Sequence, residues 1–202
     1  MKKALILLLV VFLLTTSLVA CKQNNEAKPN PSTDFEYKID GNQVSITKYV
    51  GTDTTVIIPE TIEEKIVTAI NSEAFASSAI TECMLPATIR KIDQRAFAMC
   101  ANLEKITLNE GLLTIGDYAF EGASTLTEII IPATVINMNE STFKSCNSLT
   151  AVKFEGNAPN AYEIPEADNS QAPSYSGSYT VYYHANAQGF SSPWCGYTTE
   201  NW

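Results

Sequence analysis

The sequence predicts an α/β-type repeat solenoid, mostly β: a right-handed coil with a parallel strand ladder, an N-terminal β-hairpin cap and a C-terminal β/aromatic cap. Three observations predict it. Phe75, Phe97, Phe120 and Phe143 recur 22, 23 and 23 residues apart, each five residues after an apolar position (Ile70, Ile92, Ile115, Met138). Further apolar columns keep the same register: Ile80, Leu103, Leu126 and Leu149; Cys83, Ile106, Ile129 and Val152; Leu85, Leu108, Ile131 and Phe154. Segments without the repeat flank it on both sides. A coil of this length cannot bury its own apolar positions, so successive coils stack and merge their columns into one core.

The elements follow in chain order. Residues 1–20 carry the basic start Met1-Lys2-Lys3 and then an uncharged run rich in Leu, Val and Ile, the pattern of an export signal. The apolar run is at the lower limit for a membrane span, so a retained anchor helix is the alternative. Leu18-Val19-Ala20-Cys21 resembles the lipobox of bacterial lipoproteins. That resemblance implies removal of residues 1–20, lipidation of Cys21 and attachment to a membrane, which two or more acyl chains make stable. Residues 22–34 are polar and unpatterned, which reads as a solvated tether following the lipidated cysteine in a segment 21–34.

Residues 35–55 form the N-terminal cap. Phe35 to Ile39 and Val44 to Tyr49 alternate by twos around Asp40-Gly41-Asn42, the signature of a hairpin. Residues 56–157 hold the repeats. Each unit reads Leu-x-x-Ile-x-Leu, a turn often marked by Pro (Pro59, Pro86, Pro132), then Ile-x-x-x-Ala-Phe with a polar turn behind it. The first unit is longer: eleven residues separate Pro59 from Ile70, against six between Pro86 and Ile92, so Glu63 to Val67 read as an inserted bulge or loop. Residues 158–202 form the C-terminal cap: a loop rich in Pro, Ser and Ala, a closing strand at Tyr179 to Tyr183, and an aromatic tail with Trp194 and Trp202. Open coil ends expose a sheet core, which is why both ends need covers.

The units resemble the leucine-rich repeats of the BspA-like family, which run L-x-x-I-x-L-P and then I-x-x-x-A-F-x-x-C. Residues 80–97, 103–120 and 126–143 carry that pattern, and the resemblance extends over residues 35–202. It implies a leucine-rich-repeat scaffold at a bacterial surface and adhesion to host or neighbouring-cell proteins. A scaffold does not fix its ligand, which depends on surface residues outside the consensus.

Composition removes candidates. Thirteen basic against 22 acidic residues give a net charge of −9, or 11 − 22 = −11 without Lys2 and Lys3. Such a surface repels nucleic acid, which is not expected as a partner. Cys83, Cys100, Cys146 and Cys195 show no metal spacing. Cys100 and Cys146 share a column two coils apart, about 9–10 Å on the ladder spacing and beyond the roughly 7 Å that a disulfide spans. Cys83 takes the place of Ile106 and Ile129, as a small core residue. The single histidine, His184, has no Ser or Cys motif beside it, so no catalytic residue, metal or cofactor is expected and the chain does not read as an enzyme.

The candidate binding face is the outward side of the repeat strands: Glu82, Met84, Glu104, Lys105, Thr107, Glu128, Ile130 and Lys153. Lys105 stands between Glu82 and Glu128, where charges pair across the ladder. Met84 and Ile130 are apolar where solvent is expected, which marks them for contact. Four coils give a face on the order of 300 Å², against about 800 Å² per partner in a standard interface, so useful binding requires many copies. The expected function is a lipid-anchored surface module binding a protein or glycan, with host matrix or neighbouring cells as the source. Two rivals are a structural or self-associating envelope protein and a hydrolase built around His184.

Overall fold

The computed structural model describes residues 28–138, 140–159, 179–190 and 197–202. The export segment, Cys21, Trp194 and Cys195 lie outside the described residues. Fourteen strands are described: β1 (Phe35–Asp40), β2 (Gln43–Tyr49), β3 (Thr55–Ile57), β4 (Thr61–Ile62), β5 (Lys65–Ile70), β6 (Glu82–Met84), β7 (Lys91–Ile92), β8 (Lys105–Thr107), β9 (Thr114–Ile115), β10 (Glu128–Ile131), β11 (Asn137–Met138), β12 (Ala151–Phe154), β13 (Thr180–Tyr183) and β14 (Thr199–Asn201).

The repeat columns become rungs of parallel ladders. On one side β3, β6 and β8 pair with Val56, Cys83 and Ile106 in register. β10, β12, β13 and β14 continue that side with Ile129, Val152, Val181 and Thr199 in register. β8 and β10 pack against each other without ladder bridges, so the side divides into two sheets. A second ladder, which the repeat pattern does not separate from the first, joins β2, β5, β7, β9 and β11 through Ile46, Ile70, Ile92, Ile115 and Met138. Most of its strands are two residues long, too short to show a period of two.

The third side is made of turns, and these also bind coil to coil. Glu73, Phe75 and Ser77 donate their N–H groups to the carbonyls of Gln94, Ala96 and Ala98 of the next coil. Arg95, Phe97 and Met99 do the same toward Asp117, Ala119 and Glu121. The tight path forces left-handed backbone at recurring positions: Glu73, Arg95 and Tyr118 in one column; Ser77, Met99, Gly122 and Ser145 in another.

Between the three sides the repeat phenylalanines form a spine. Phe75, Phe97, Phe120 and Phe143 stack nearly parallel, with centroids 4.8, 5.5 and 5.6 Å apart. Tyr49 stacks on Phe75 at 5.3 Å at one end, and Tyr179 meets Phe143 edge-on at 6.2 Å at the other. All four Phe side chains are buried, so the spine is both the apolar core and the alignment of one coil on the next.

At the N-terminal end β1 and β2 form an antiparallel hairpin turning at Gly41, whose φ of +57° suits glycine. β2 is also the first rung of the second ladder. The extra residues of the first unit, expected as a bulge or loop, form a second hairpin: β4 pairs antiparallel with β5 around Glu63 and Glu64, at φ 49° and 62°. The Tyr37 hydroxyl donates to Glu63 Oε1 at 2.8 Å and ties the two hairpins together. The end of the stretch read as a tether packs on the first coil instead. A 3-10 turn spans Ser32–Asp34, and Asn30 is buried against β3.

At the other end β13 pairs in parallel with β12 and β14 with β13, so they prolong the first ladder. Tyr179 and Tyr197 stack at 4.1 Å over the last coil, both buried.

Candidate binding face

In β6, β8, β10 and β12 alternate side chains point opposite ways. Cys83, Ile106, Ile129 and Val152 are buried, and the residues flanking them lie on the outward side, at least partly exposed except for the buried Ala151. Two outward columns result. One runs Thr55, Glu82, Lys105 on the first sheet and Glu128, Ala151, Thr180 on the next; the other runs Ile57, Met84, Thr107 and then Ile130, Lys153, Tyr182, Glu200.

Seven of the eight expected face residues thus lie on one surface. Glu104 stands apart, exposed just before β8, with its N–H donated to the Thr81 carbonyl. The charge pairing differs from the expected one. Lys105 Nζ lies 2.9 Å from Glu82 Oε1, while Glu128 Oε2 takes Lys153 Nζ at 2.7 Å. Each lysine therefore has its own glutamate, on a chain of net charge −9. Exposed pairs of this kind add about 0–1 kcal/mol to stability. Met84 and Ile130 are 37% and 41% exposed.

Three residues that sequence reasoning missed enlarge the face. Ile57 and Tyr182 extend the second column at its two ends. Trp202, 45% exposed, lies beside Lys153, whose ammonium sits 5.5 Å from the indole centroid. The indole N–H donates to the Phe154 carbonyl at 3.5 Å. His184 stacks on the same indole, centroids 5.1 Å apart and planes 11° apart, with Nδ1 3.3 Å from the Trp202 carbonyl. A spacing rule of 23 could not have found Ile57 or Tyr182, because they stand 27 and 29 residues from their ladder partners Met84 and Lys153.

The described cysteines are free and buried. Cys100 and Cys146 donate to the carbonyls of Phe75 and Phe120, each at 3.0 Å, and so stitch a coil to the one before it. Burial pushes the Cys146 thiol up to about 12 and raises Cys83 and Cys100 as well. Protonated at neutral pH, these thiols are neither nucleophiles nor ready metal ligands.

Residues 68–164 match the family model of the BspA type leucine rich repeat region, in six copies. Among solved structures, a leucine-rich repeat protein from Bacteroides capillosus is 31% identical with a TM-score of 0.55, over 61% of this chain and 95% of that one. The T. pallidum leucine rich repeat protein TpLRR is 24% identical with a TM-score of 0.55, over 62% of this chain and 71% of that one. A leucine rich cell surface protein from Faecalibacterium prausnitzii is 21% identical with a TM-score of 0.55, over 79% of this chain and 46% of that one. The last two likenesses speak to the fold alone. No curated protein matches the sequence.

Proposed function

The chain belongs to the BspA-type leucine-rich-repeat family, and from that premise we propose that it is an exported surface lipoprotein whose solenoid binds protein or glycan partners. The observation that carries this reading is the composition of the strand face. Met84 and Ile130 stand exposed on it while every lysine beside them is already paired with a glutamate. Removing water from Met84 and Ile130 gains apolar burial and leaves neither neighbouring lysine without its glutamate. The surface location is supported by the sequence of residues 1–21. Lipid on Cys21 would hold many copies on one membrane, and weak contacts by each would then add up to avidity.

The test displays the full chain in many copies on beads and screens it against matrix proteins, mucins and glycans. A Met84→Glu/Ile130→Glu variant is run beside it. Capture that disappears in the variant supports binding through the strand face. Capture that the variant keeps moves the site elsewhere, and no capture by the unmodified chain overturns the binding role.

A further inference from the structure

The third side of the solenoid has a direction. Where a turn peptide donates its N–H to the following coil, the carbonyl of that same peptide points back to the preceding one, because the two groups lie on opposite sides of a planar trans unit. In the first coil the donating N–H groups belong to Glu73, Phe75 and Ser77. Their partner carbonyls are those of Ser72, Ala74 and Ala76, and no earlier repeat exists to meet them. Only the middle carbonyl is taken: Tyr49 N–H donates to Ala74 O at 2.7 Å. Beyond Tyr49 the chain turns away, with Val50 and Gly51 donating to Asp34 O at 2.8 and 3.2 Å. No described donor reaches the carbonyls of Ser72 and Ala76.

A groove of about 700 Å³ opens at this place, between residues 47–53 and residues 72–79. Its volume falls within the usual range for small-ligand sites, roughly 300–1,000 Å³. Beside the two open carbonyls the groove is lined by the hydroxyl residues Thr47, Thr52, Ser72 and Ser77, by the carboxylates of Asp53 and Glu73, and by Lys48. Two carbonyls and two carboxylates only accept, against the one ammonium of Lys48 that only donates, so the set favours a ligand rich in donors. A peptide strand cannot run in register here, since the Tyr49 backbone already occupies the central carbonyl. A ring bearing several hydroxyls can lie over the Tyr49–Ala74 bond and donate on either side of it. The Tyr49 ring offers no stacking platform, being packed on Phe75 on one face and close to Gly51 on the other.

We propose that this N-terminal groove binds a neutral glycan segment, held by donated hydroxyl hydrogen bonds to the carbonyls of Ser72 and Ala76. The proposal rests on the reading of the chain as a binding module and names a glycan as one ligand class and a site apart from the strand face.

The experiment uses the full chain in detergent, isotope-labelled for NMR. Albumin conjugates bearing glucose, galactose, mannose or N-acetylglucosamine serve for capture, and the matching free disaccharides for titration. At least one sugar is expected to be captured and to shift the carbonyl carbons of Ser72 and Ala76. Ala79→Trp, an exposed change that fills the groove, is expected to weaken capture about tenfold or more, and Glu73→Gln by a smaller factor. Thermal melting of both variants checks that they fold. Met84→Glu/Ile130→Glu should leave sugar capture intact, which separates the groove from the strand face. No capture of any sugar, or capture that Ala79→Trp leaves unchanged, overturns the groove proposal whether or not the strand face binds a protein.

Discussion

Asn30 and Ile57 are joined as two neighbouring strand residues would be: Asn30 N–H donates to Ile57 O at 2.9 Å, and Ile57 N–H donates to Asn30 Oδ1 at 2.8 Å. A single residue thus blunts the outer edge of β3, with its side chain supplying the acceptor that a strand backbone would have given. The Asn30 Nδ2 group donates to Asp34 and Asp53, each at 3.0 Å, which locks the amide orientation. Asn30→Ala should lower unfolding free energy by about 1–3 kcal/mol in urea titration, because it leaves the Ile57 N–H without a partner. A chain beginning at Phe35 should show a similar loss. Asn30→Asp should be worse at neutral pH, with three carboxylates together, and should recover as pH falls into the carboxylate range near 4.

The phenylalanine spine carries much of the packing. Phe97 sits between Phe75 and Phe120 and is wholly buried. Phe97→Ala is expected to cost about 3–5 kcal/mol, enough to unfold a marginal solenoid. Phe97→Leu keeps most of the volume, loses the ring contacts and should cost less. Calorimetry on both variants, beside the parent, measures the difference.

Glu63 and Glu64 occupy the two central positions of the β4–β5 hairpin with left-handed backbone at both. Asn and Gly are the residues such a turn favours. Replacing the pair, Glu63→Asn with Glu64→Gly, should raise stability by about 1 kcal/mol despite the loss of the Tyr37–Glu63 hydrogen bond. A midpoint in urea below that of the parent would show that the tie between the hairpins matters more than the turn conformation.

Buried thiols link stability to alkaline pH. Cys146 is raised from 9.0 to about 12, so between those values the folded chain holds a proton that the unfolded chain has released. Stability contributed by the protonated thiol is complete below about pH 9 and falls as pH rises toward about 12. Cys146→Ser should flatten part of that fall in urea unfolding followed across pH. Iodoacetamide at pH 8 should leave Cys83, Cys100 and Cys146 unmodified in the native chain and alkylate all three in urea.

The membrane attachment has its own readout. In bacterial cells fed labelled palmitate the chain should take up label and partition with membranes, and Cys21→Ser should do neither. A labelled Cys21→Ser protein would remove that cysteine as the acceptor.

The repeat register was legible because stacking demands the same kind of side chain at the same place in every coil, and Phe75, Phe97, Phe120 and Phe143 record that demand directly. The outward positions from Glu82 to Lys153 followed from a period of two. Their pairing did not, since whether Lys105 turns to Glu82 or Glu128 is a matter of rotamers and not of pattern. The second ladder left only the apolar column Ile70, Ile92, Ile115 and Met138, and no strand signal, because strands as short as Lys91–Ile92 have no alternation to read. Asn30 looked like tether for a similar reason. Its burial comes from hydrogen bonds with residues 4 to 27 positions away, and a polar residue among Lys and Pro carries no apolar signature of that.

The one-way donation of the turn peptides also makes the solenoid an electrical object. Peptide units carry dipoles of about 3.5 D, and on this side they point the same way in coil after coil, unlike the parallel ladders, where successive units alternate. Their N–H ends face the C-terminal coils and their carbonyl ends face Tyr49. The long axis therefore has a negative pole at the end that residues 28–53 cover, so a cation or a hydroxyl proton approaching the molecule meets two chemically different ends. Lengthening the stack by whole coils would add aligned dipoles without changing which end is which.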